Sequence, residues 1–400
     1  MAVTERTEPR RAKRVNHPGR GGKSGFHPKA EHSTTLPSYY YYDPAIFARE
    51  KEDIFFKTWQ LAGYIADLPN AGDYITFQLL DQLVFVVRDK NHALRAYYNV
   101  CMHRGHTLLE GKGNVKNITC PFHAWTYGLD GALKAAGNAE NVRGFDLADF
   151  NLTEVRVEQF LHMVFVNLDP AATPLAEQAS GLAAMMRRVL PNLDQMKRVR
   201  RDTYEIKANW KLLGDQLECY HCPVIHPQVM GGEDSYLEPS FDSEEHGIWS
   251  VDVSHGTDDV LEKIRKFLPA DVGGETFTKD VYIWFLWPNL ILITHHGPPN
   301  LKIGYAMPNG IESVIRHMDH FVLNDPPNAF ELAQMDNHMN IAAPQDREAM
   351  EKQMVGIKAR GYRQGRLMVD AEHSWRSEHG VHFFDDMVWK ALNGDRYEVE

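Results

Sequence analysis

The sequence predicts an α+β protein built of two unlike parts, and three observations lead there. Short runs of apolar and β-branched residues follow one another at hairpin spacing between residues 74 and 99, and again between 154 and 167. A second strand-rich region runs from 247 to 323, with helical patterns on both sides of it. A chain of 400 residues, 43% hydrophobic and 24% charged, also holds enough apolar mass for two cores. The formal charge of -11 argues against general nucleic-acid binding, which needs a basic surface, and is read as a solubility feature. The most apolar run, 283–293, is interrupted by Pro288 and Asn289 and is too short to cross a bilayer. No apolar signal core opens the chain, so the expectation is a cytoplasmic protein without membrane contact.

Taken in order, residues 1–37 carry Arg6, Arg10, Arg11, Lys13, Arg14, Arg20, Lys23 and Lys29 among Gly, Pro, Ser and Thr, and read as a basic, mobile arm. Residues 38–168 read as a small β domain with a leading helix. That helix has apolar spacing from Tyr39 to Trp59, a start at Asp43-Pro44, and Phe47, Ile54 and Phe55 as its buried side. Strands follow at Tyr74 to Leu79, Leu83 to Arg88 and Leu94 to Asn99, then at Glu154 to Phe160 and Met163 to Asn167; such close spacing implies antiparallel pairing. Residues 169–400 read as a second domain. It opens with a helix over Thr173 to Leu193, a strand over Arg201 to Lys207, and a loop over Gly231 to Glu245. Strands are expected at Gly247 to Ser254, Asp280 to Leu286, Leu290 to His295, Lys302 to Met307 and Ser313 to Leu323, with helical stretches after Pro327 and Pro344.

Of four cysteines, Cys101, Cys120, Cys219 and Cys222, two lie one or two residues from a histidine across a loop, which favours metal ligation in a reducing compartment over disulfides. The loops Cys101-Met102-His103-Arg104-Gly105-His106 and Cys120-Pro121-Phe122-His123 each offer one thiolate and one imidazole. Zinc is one possible occupant, but zinc fingers pair cysteine with cysteine and histidine with histidine. Mixed loops suit a [2Fe–2S] cluster in which two thiolates take one iron and two imidazoles the other. Trp125 and Tyr127 read equally well as a shield for it or as core. A second constellation lies in 209–227. Trp210 to Tyr220 has no break except Gly214, and a helix there puts Asp215, Glu218 and His221 on one face. His226 lies beyond Pro223, whose distortion is expected to swing both imidazoles to one point, an arrangement that suits a divalent transition metal. A carboxylate must complete it, and Asp215, Glu218, Asp336, Asp346, Glu348 and Glu351 are all available.

With these motifs in this order the chain resembles the Rieske non-haem iron oxygenases, in their large terminal subunit, over residues 40–390. The resemblance implies a Rieske domain followed by a helix-grip (START-like) catalytic domain, an antiparallel sheet around helices. It implies that Cys101, His103, Cys120 and His123 bind the [2Fe–2S] cluster, and that His221, His226 and Asp346 bind a mononuclear Fe(II). Asp346 is chosen because Glu351 and Gly356 follow at the family's spacing. Met102 and Ala124 depart from the family's frequent Pro and Gly. Glu218 would then bridge His221 to a cluster histidine of a neighbouring subunit, which implies a homotrimer, with Asn209 and Asp215 as supporting residues. The chain has no Gly-x-Gly-x-x-Gly motif, so electrons are expected from a separate NAD(P)H-dependent reductase carrying flavin and iron–sulfur groups.

Glu218 and the Ser377-Glu378-His379-Gly380-Val381-His382-x-Phe384 run look most like members acting on quaternary ammonium compounds, by N-demethylation with release of formaldehyde. Trp249, Tyr282, Trp284 and Trp287, with Tyr236 and Phe285, are available for a cation-binding cage, although core packing is the commoner role of each. An aromatic acid dioxygenase is the alternative. A Rieske electron carrier would need only the first domain and a helix-grip ligand-binding protein only the second; His221, His226 and Asp346 count against both.

Overall fold

The computed structural model describes residues 25–227, 241–259, 262 and 277–397. Its leading segment is not one helix. Pro44 lacks an N–H and confines Asp43 to extended backbone (φ -79, ψ 119), so Ser38–Tyr41 forms a separate 3-10 turn and a new helix, Pro44–Glu50, starts where the Asp43 side chain accepts from Ala45 N. The chain continues as a π turn, Lys51–Phe55, and Ile46, Glu50, Ile54 and Phe55 form the buried side.

The first sheet is built from β1 (Gln60–Tyr64), β2 (Asp73–Leu79), β3 (Gln82–Arg88), β4 (Leu94–Tyr98), β5 (Lys112–Asn114), β9 (Glu154–Phe160) and β10 (Met163–Asn167), in the order β1-β10-β9-β4-β3-β2-β5. Every described pairing in it is antiparallel. Between β5 and β9, the strands β6 (Ile118–Thr119), β7 (Thr126–Tyr127) and β8 (Leu133–Ala135) make a three-stranded sheet of their own. Strand β3 is buried on both faces because it serves two cores. Val84 and Val86 pack with Val155, Val164 and Val166, whereas Phe85 and Val87 pack against Cys101, Cys120, Trp125 and Tyr127.

The second sheet runs β11-β17-β16-β15-β14-β13-β12, from β11 (Lys197–Ile206), β12 (Phe241–His246), β13 (Trp249–Ser254), β14 (Val281–Leu286), β15 (Leu290–Thr294), β16 (Asn300–Pro308) and β17 (Val314–Val322). Strand β12 occupies part of the segment expected to be loop. The outer face buries Trp249, Val251, Trp284, Leu286, Leu292, Leu301 and Ile303 against β1, β10 and two short helices. Those helices, Leu175–Gln178 and Leu182–Val189, replace the single expected helix because Gly181 adopts φ +88 between them. The inner face buries Ile206, Phe285, Ile291, Ala306 and Val314 against Trp210 and the helices Ala343–Ile357 and His379–Asn393. A sheet closed on helices is the architecture expected from the sequence. The two sheets are tied by Tyr64 of β1, whose hydroxyl donates to Asp319 of β17 at 2.7 Å, and Asp319 is held bidentately by Arg201 at 2.6 and 2.7 Å. No described helix is long and apolar enough to cross a membrane.

Candidate metal centres

The first centre is made by two loops of the same local design. Cys101 N donates to His106 O and Gly105 N to Cys101 O; nineteen residues on, Cys120 N donates to Trp125 O and Ala124 N to Cys120 O. Each loop closes through a residue in the left-handed region, Gly105 at φ +74 and Ala124 at φ +56. For alanine that conformation carries a strain of about 1 kcal/mol. The thiols of Cys101 and Cys120 are buried, 2% and 3% exposed, while His103 and His123 stand at the surface with ring centres 4.9 Å apart. Trp125 stacks on His103 at 4.8 Å and 8°, so it serves as shield and core together. The Tyr127 hydroxyl lies 3.4 Å from Cys101 Sγ and accepts from Met102 N. Two buried thiols beneath two exposed imidazoles fit a [2Fe–2S] cluster with its cysteine-ligated iron inside and its histidine-ligated iron at the surface.

The second centre departs locally from the sequence reading and still brings its residues together. The expected helix over Trp210 to Tyr220 is a 3-10 helix, Trp210–Gln216, followed by turns and the short helix Cys222–Ile225. Pro223 does not distort a helix; it occupies the first turn of the new one, where its missing N–H has no partner to lose. His221 and His226 thus flank one helical turn. The coordinating atoms of His221, His226 and Asp346 all lie within 4.8 Å of one another. Asp346 Oδ1 is 2.7 Å from His226 Nε2 and 3.9 Å from His221 Nε2.

The far nitrogen of each ring decides the tautomer. His221 Nδ1 donates to Glu218 Oε1 at 2.5 Å, and His226 Nδ1 donates to Gln345 Oε1 at 2.7 Å. Both Nε2 lone pairs are therefore left facing the Asp346 carboxylate, the donor set of a two-histidine, one-carboxylate iron site. Without a metal the same carboxylates favour a proton on Nε2 as well: burial opposes protonation of His221, yet its hydrogen bonds with Cys222 and Glu218 hold it up at about 10, and burial likewise opposes His226, which Asp346 and Gln345 hold up. A metal ion bound there would have to displace that proton, so its binding would release protons. Gln345 was not foreseen; its signal was its place beside Asp346 in the first turn of Ala343–Ile357.

Two expected supporting residues make their described hydrogen bonds to groups other than the iron ligands. Asn209 is fully buried as the cap of the 3-10 helix, accepting from Lys211 N and donating to Ile311 O, because a chain leaving β11 needs a cap more than the histidines need another amide. Asp215 accepts from the Gln353 amide, and burial pushes its carboxyl up to about 7. The aromatic cage is corrected by strand alternation. Trp249 and Trp284 point to the outer face, where their indoles donate to Ser180 O and Met185 Sδ, and Tyr282 stacks on Trp284 at 5.2 Å. Phe285, one residue on, faces inward with Trp210 and Phe384 around a narrow crevice, while Trp287 packs against Trp210 and Phe384. Tyr236 lies outside the described residues.

Comparison with known proteins bears on both centres. The Rieske [2Fe-2S] domain family matches residues 58–146, and the ring hydroxylating alpha subunit (catalytic domain) family matches residues 193–394. The chain belongs to the Rieske ring-hydroxylating oxygenases, as an alpha subunit. It is similar to the carnitine monooxygenase oxygenase subunit of Escherichia coli (strain K12), 36% identical over 358 residues, covering 88% of this chain and 92% of that one. It is also similar to the glycine betaine monooxygenase oxygenase subunit of Pseudomonas aeruginosa, 34% identical over 203 residues, covering 50% of this chain and 46% of the relative. Among solved structures it resembles the quaternary ammonium Rieske monooxygenase CntA in complex with L-carnitine, with a TM-score of 0.80 and 30% identity, over 92% of this chain and 98% of the other. The oxygenase is thus an oxidoreductase of the [2Fe–2S] and non-haem iron type.

Proposed function

We propose that this chain is the terminal oxygenase of a system that uses O2 and electrons from a separate NAD(P)H-dependent reductase to hydroxylate a quaternary ammonium compound of the betaine type. One observation carries the chemistry: His221, His226 and Asp346 converge with both histidine Nδ1 atoms already held, by Glu218 and Gln345. The substrate class is supported by relatives that are named for carnitine and glycine betaine. Bound there, the iron supplies activation of dioxygen next to the substrate. The chain's residues do the rest. Glu218 and Gln345 keep a proton on each Nδ1, Asp346 supplies the negative ligand, and the inner face of the second sheet holds the organic cation. Hydroxylation of a carbon bonded to the ammonium nitrogen adds one oxygen atom; the second leaves as water with two electrons and two protons. The carbinol then breaks its C–N bond, giving a carbonyl fragment and an amine; where the carbon is an N-methyl, the fragment is formaldehyde.

Glu218 is read further as the electron bridge from the cluster of a neighbouring copy to His221. Its support is an apolar exposed residue beside each centre, Phe122 at 56% by the cluster ligands and Tyr220 at 52% and Val224 at 70% by the iron ligands. A head-to-tail contact of these unlike patches closes in a ring, here a homotrimer. The proposed division is a cluster domain over 38–168 and a catalytic domain over 169–400; the expected arm over 1–37 is corrected in its described part, where Phe26 and Leu36 are buried in the catalytic core beside Trp389 and Phe384. A cytoplasmic location is supported by the four cysteines, all of them free. The function is tested by oxygen uptake with a surrogate reductase against a panel of betaines, choline and aromatic acids. Uptake with a betaine and release of an amine is expected; uptake with an aromatic acid alone, and no amine from any betaine, would falsify it.

A further inference from the structure

The inner face of the second sheet carries a group of cations and imidazoles that neither metal centre uses. Lys302 of β16 pairs in register with Ile293 of β15 and His320 of β17, two residues along the strand from Gly304 of the inner crevice. It is 6% exposed, and burial alone pushes its ammonium down to about 7, with no carboxylate or acceptor opposing the effect. Around it, buried nitrogens lack partners: His295 Nε2, His320 Nδ1, His338 Nε2 and Arg316 Nε. The three imidazoles are depressed first by burial and next by the charge of Lys302, which places them about that one group. The carboxylate facing the group, Asp202, is already taken by Arg200 at 2.8 Å and His320 Nε2 at 3.1 Å.

A buried donor left unpaired costs about 1–3 kcal/mol, and the imidazoles of His295 and His338, beside an ammonium that no carboxylate neutralises, would gain from an acceptor that arrives from outside. The place is suited to a substrate. His338 opens the π turn His338–Ala342, which runs straight into the helix bearing Gln345 and Asp346. Eight residues separate His338 from Asp346, about 12 Å of helix rise.

We propose that Lys302, with His295 and His338, binds the carboxylate of the substrate, so that the oxygenase selects carboxylated quaternary ammonium compounds over choline-type cations; His320, whose Nε2–H is spent on Asp202, offers only its Nδ1 lone pair to the Lys302 ammonium. The inference rests on the quaternary ammonium reading above. In the free protein the ammonium is poised to lose its proton, and an arriving carboxylate restores it.

The test is anaerobic calorimetry on the holoenzyme with γ-butyrobetaine and with its neutral carboxamide. The carboxylate is expected to bind about tenfold tighter or more, and Lys302→Met to bring the pair within about twofold while leaving the carboxamide unchanged. Lys302 has no described carboxylate partner that its loss would orphan, so an apolar chain of similar length keeps the fold. A second readout is proton uptake on binding above pH 7, measured from buffers of different ionisation enthalpy, which Lys302→Met should abolish. Equal affinity for the pair in the wild type, or a preference that survives Lys302→Met, overturns the carboxylate site and leaves the quaternary ammonium reading standing. Binding of neither compound overturns both.

Discussion

Glu218 makes both of its described hydrogen bonds to His221, at the backbone N (3.1 Å) and at Nδ1 (2.5 Å), so a single carboxylate sets the chain and the ring of one iron ligand. An amide in its place can still accept from Nδ1 but carries no charge. Glu218→Gln should therefore keep both metal centres, while reoxidation of the reduced cluster by O2 and substrate slows by about 10- to 100-fold. Iron and sulfide analysis with stopped-flow spectra checks this; loss of iron with an unchanged rate per remaining iron would assign Glu218 to ligand support alone. At this scale the sequence was legible where chemistry forces a spacing. Cys101, His103, Cys120 and His123 sit in the expected loops, and His221, His226 and Asp346 converge although Asp346 is 120 residues from His226. It was illegible where a residue acts through its place in the fold. Gln345 could be found only once Asp346 was known, since it matters for the neighbour it precedes, and Lys302 carries no local signature, since it matters for the face it occupies.

Among elements, strands were read more accurately than helices. The pattern of β9 and β10 gives their bounds residue for residue, because half-buried and buried strands are dictated by side-chain alternation. The segment Trp210–Gln216 misled because its helix is set by packing. Gly214 lies under the Phe384 ring and Gly380 under the backbone carbonyl of Leu217, so the helix His379–Asn393 presses directly on the stretch leading to Glu218 and His221. A methyl group at either glycine has no room. Gly380→Ala should cost about 1–3 kcal/mol and loosen that stretch first. The measurable outcome is iron content falling from about three toward about two per chain, with the cluster spectrum intact; a parallel loss of the cluster would show that the two domains unfold together. The outward turn of Trp249 and Trp284 was likewise beyond the sequence, since a strand rich in aromatics on both faces does not say which face meets the ligand.

For the whole molecule, the division into a cluster part and an iron part followed from the order of the motifs, while the joint between them did not. Asp319, fully buried, connects Tyr64 of the first sheet to Arg201 of the second, and these residues lie more than 100 positions apart. The proposed arrangement of copies rests on where the centres open. His103 and His123 reach the surface beside Phe122, and His221 lies behind Tyr220 and Val224. Mixed oligomers of Cys101→Ser, which lacks the cluster, and His221→Ala, which lacks the iron, should regain about a third or less of wild-type activity if electrons cross between copies. Mixtures as inactive as either parent would place the whole route within one chain. A monooxygenase that splits a quaternary ammonium compound is distinguished by its stoichiometry. With the reductase, γ-butyrobetaine or carnitine should give one amine for each O2 and each NAD(P)H consumed. Oxygen uptake that leaves the ammonium compound whole would contradict the account.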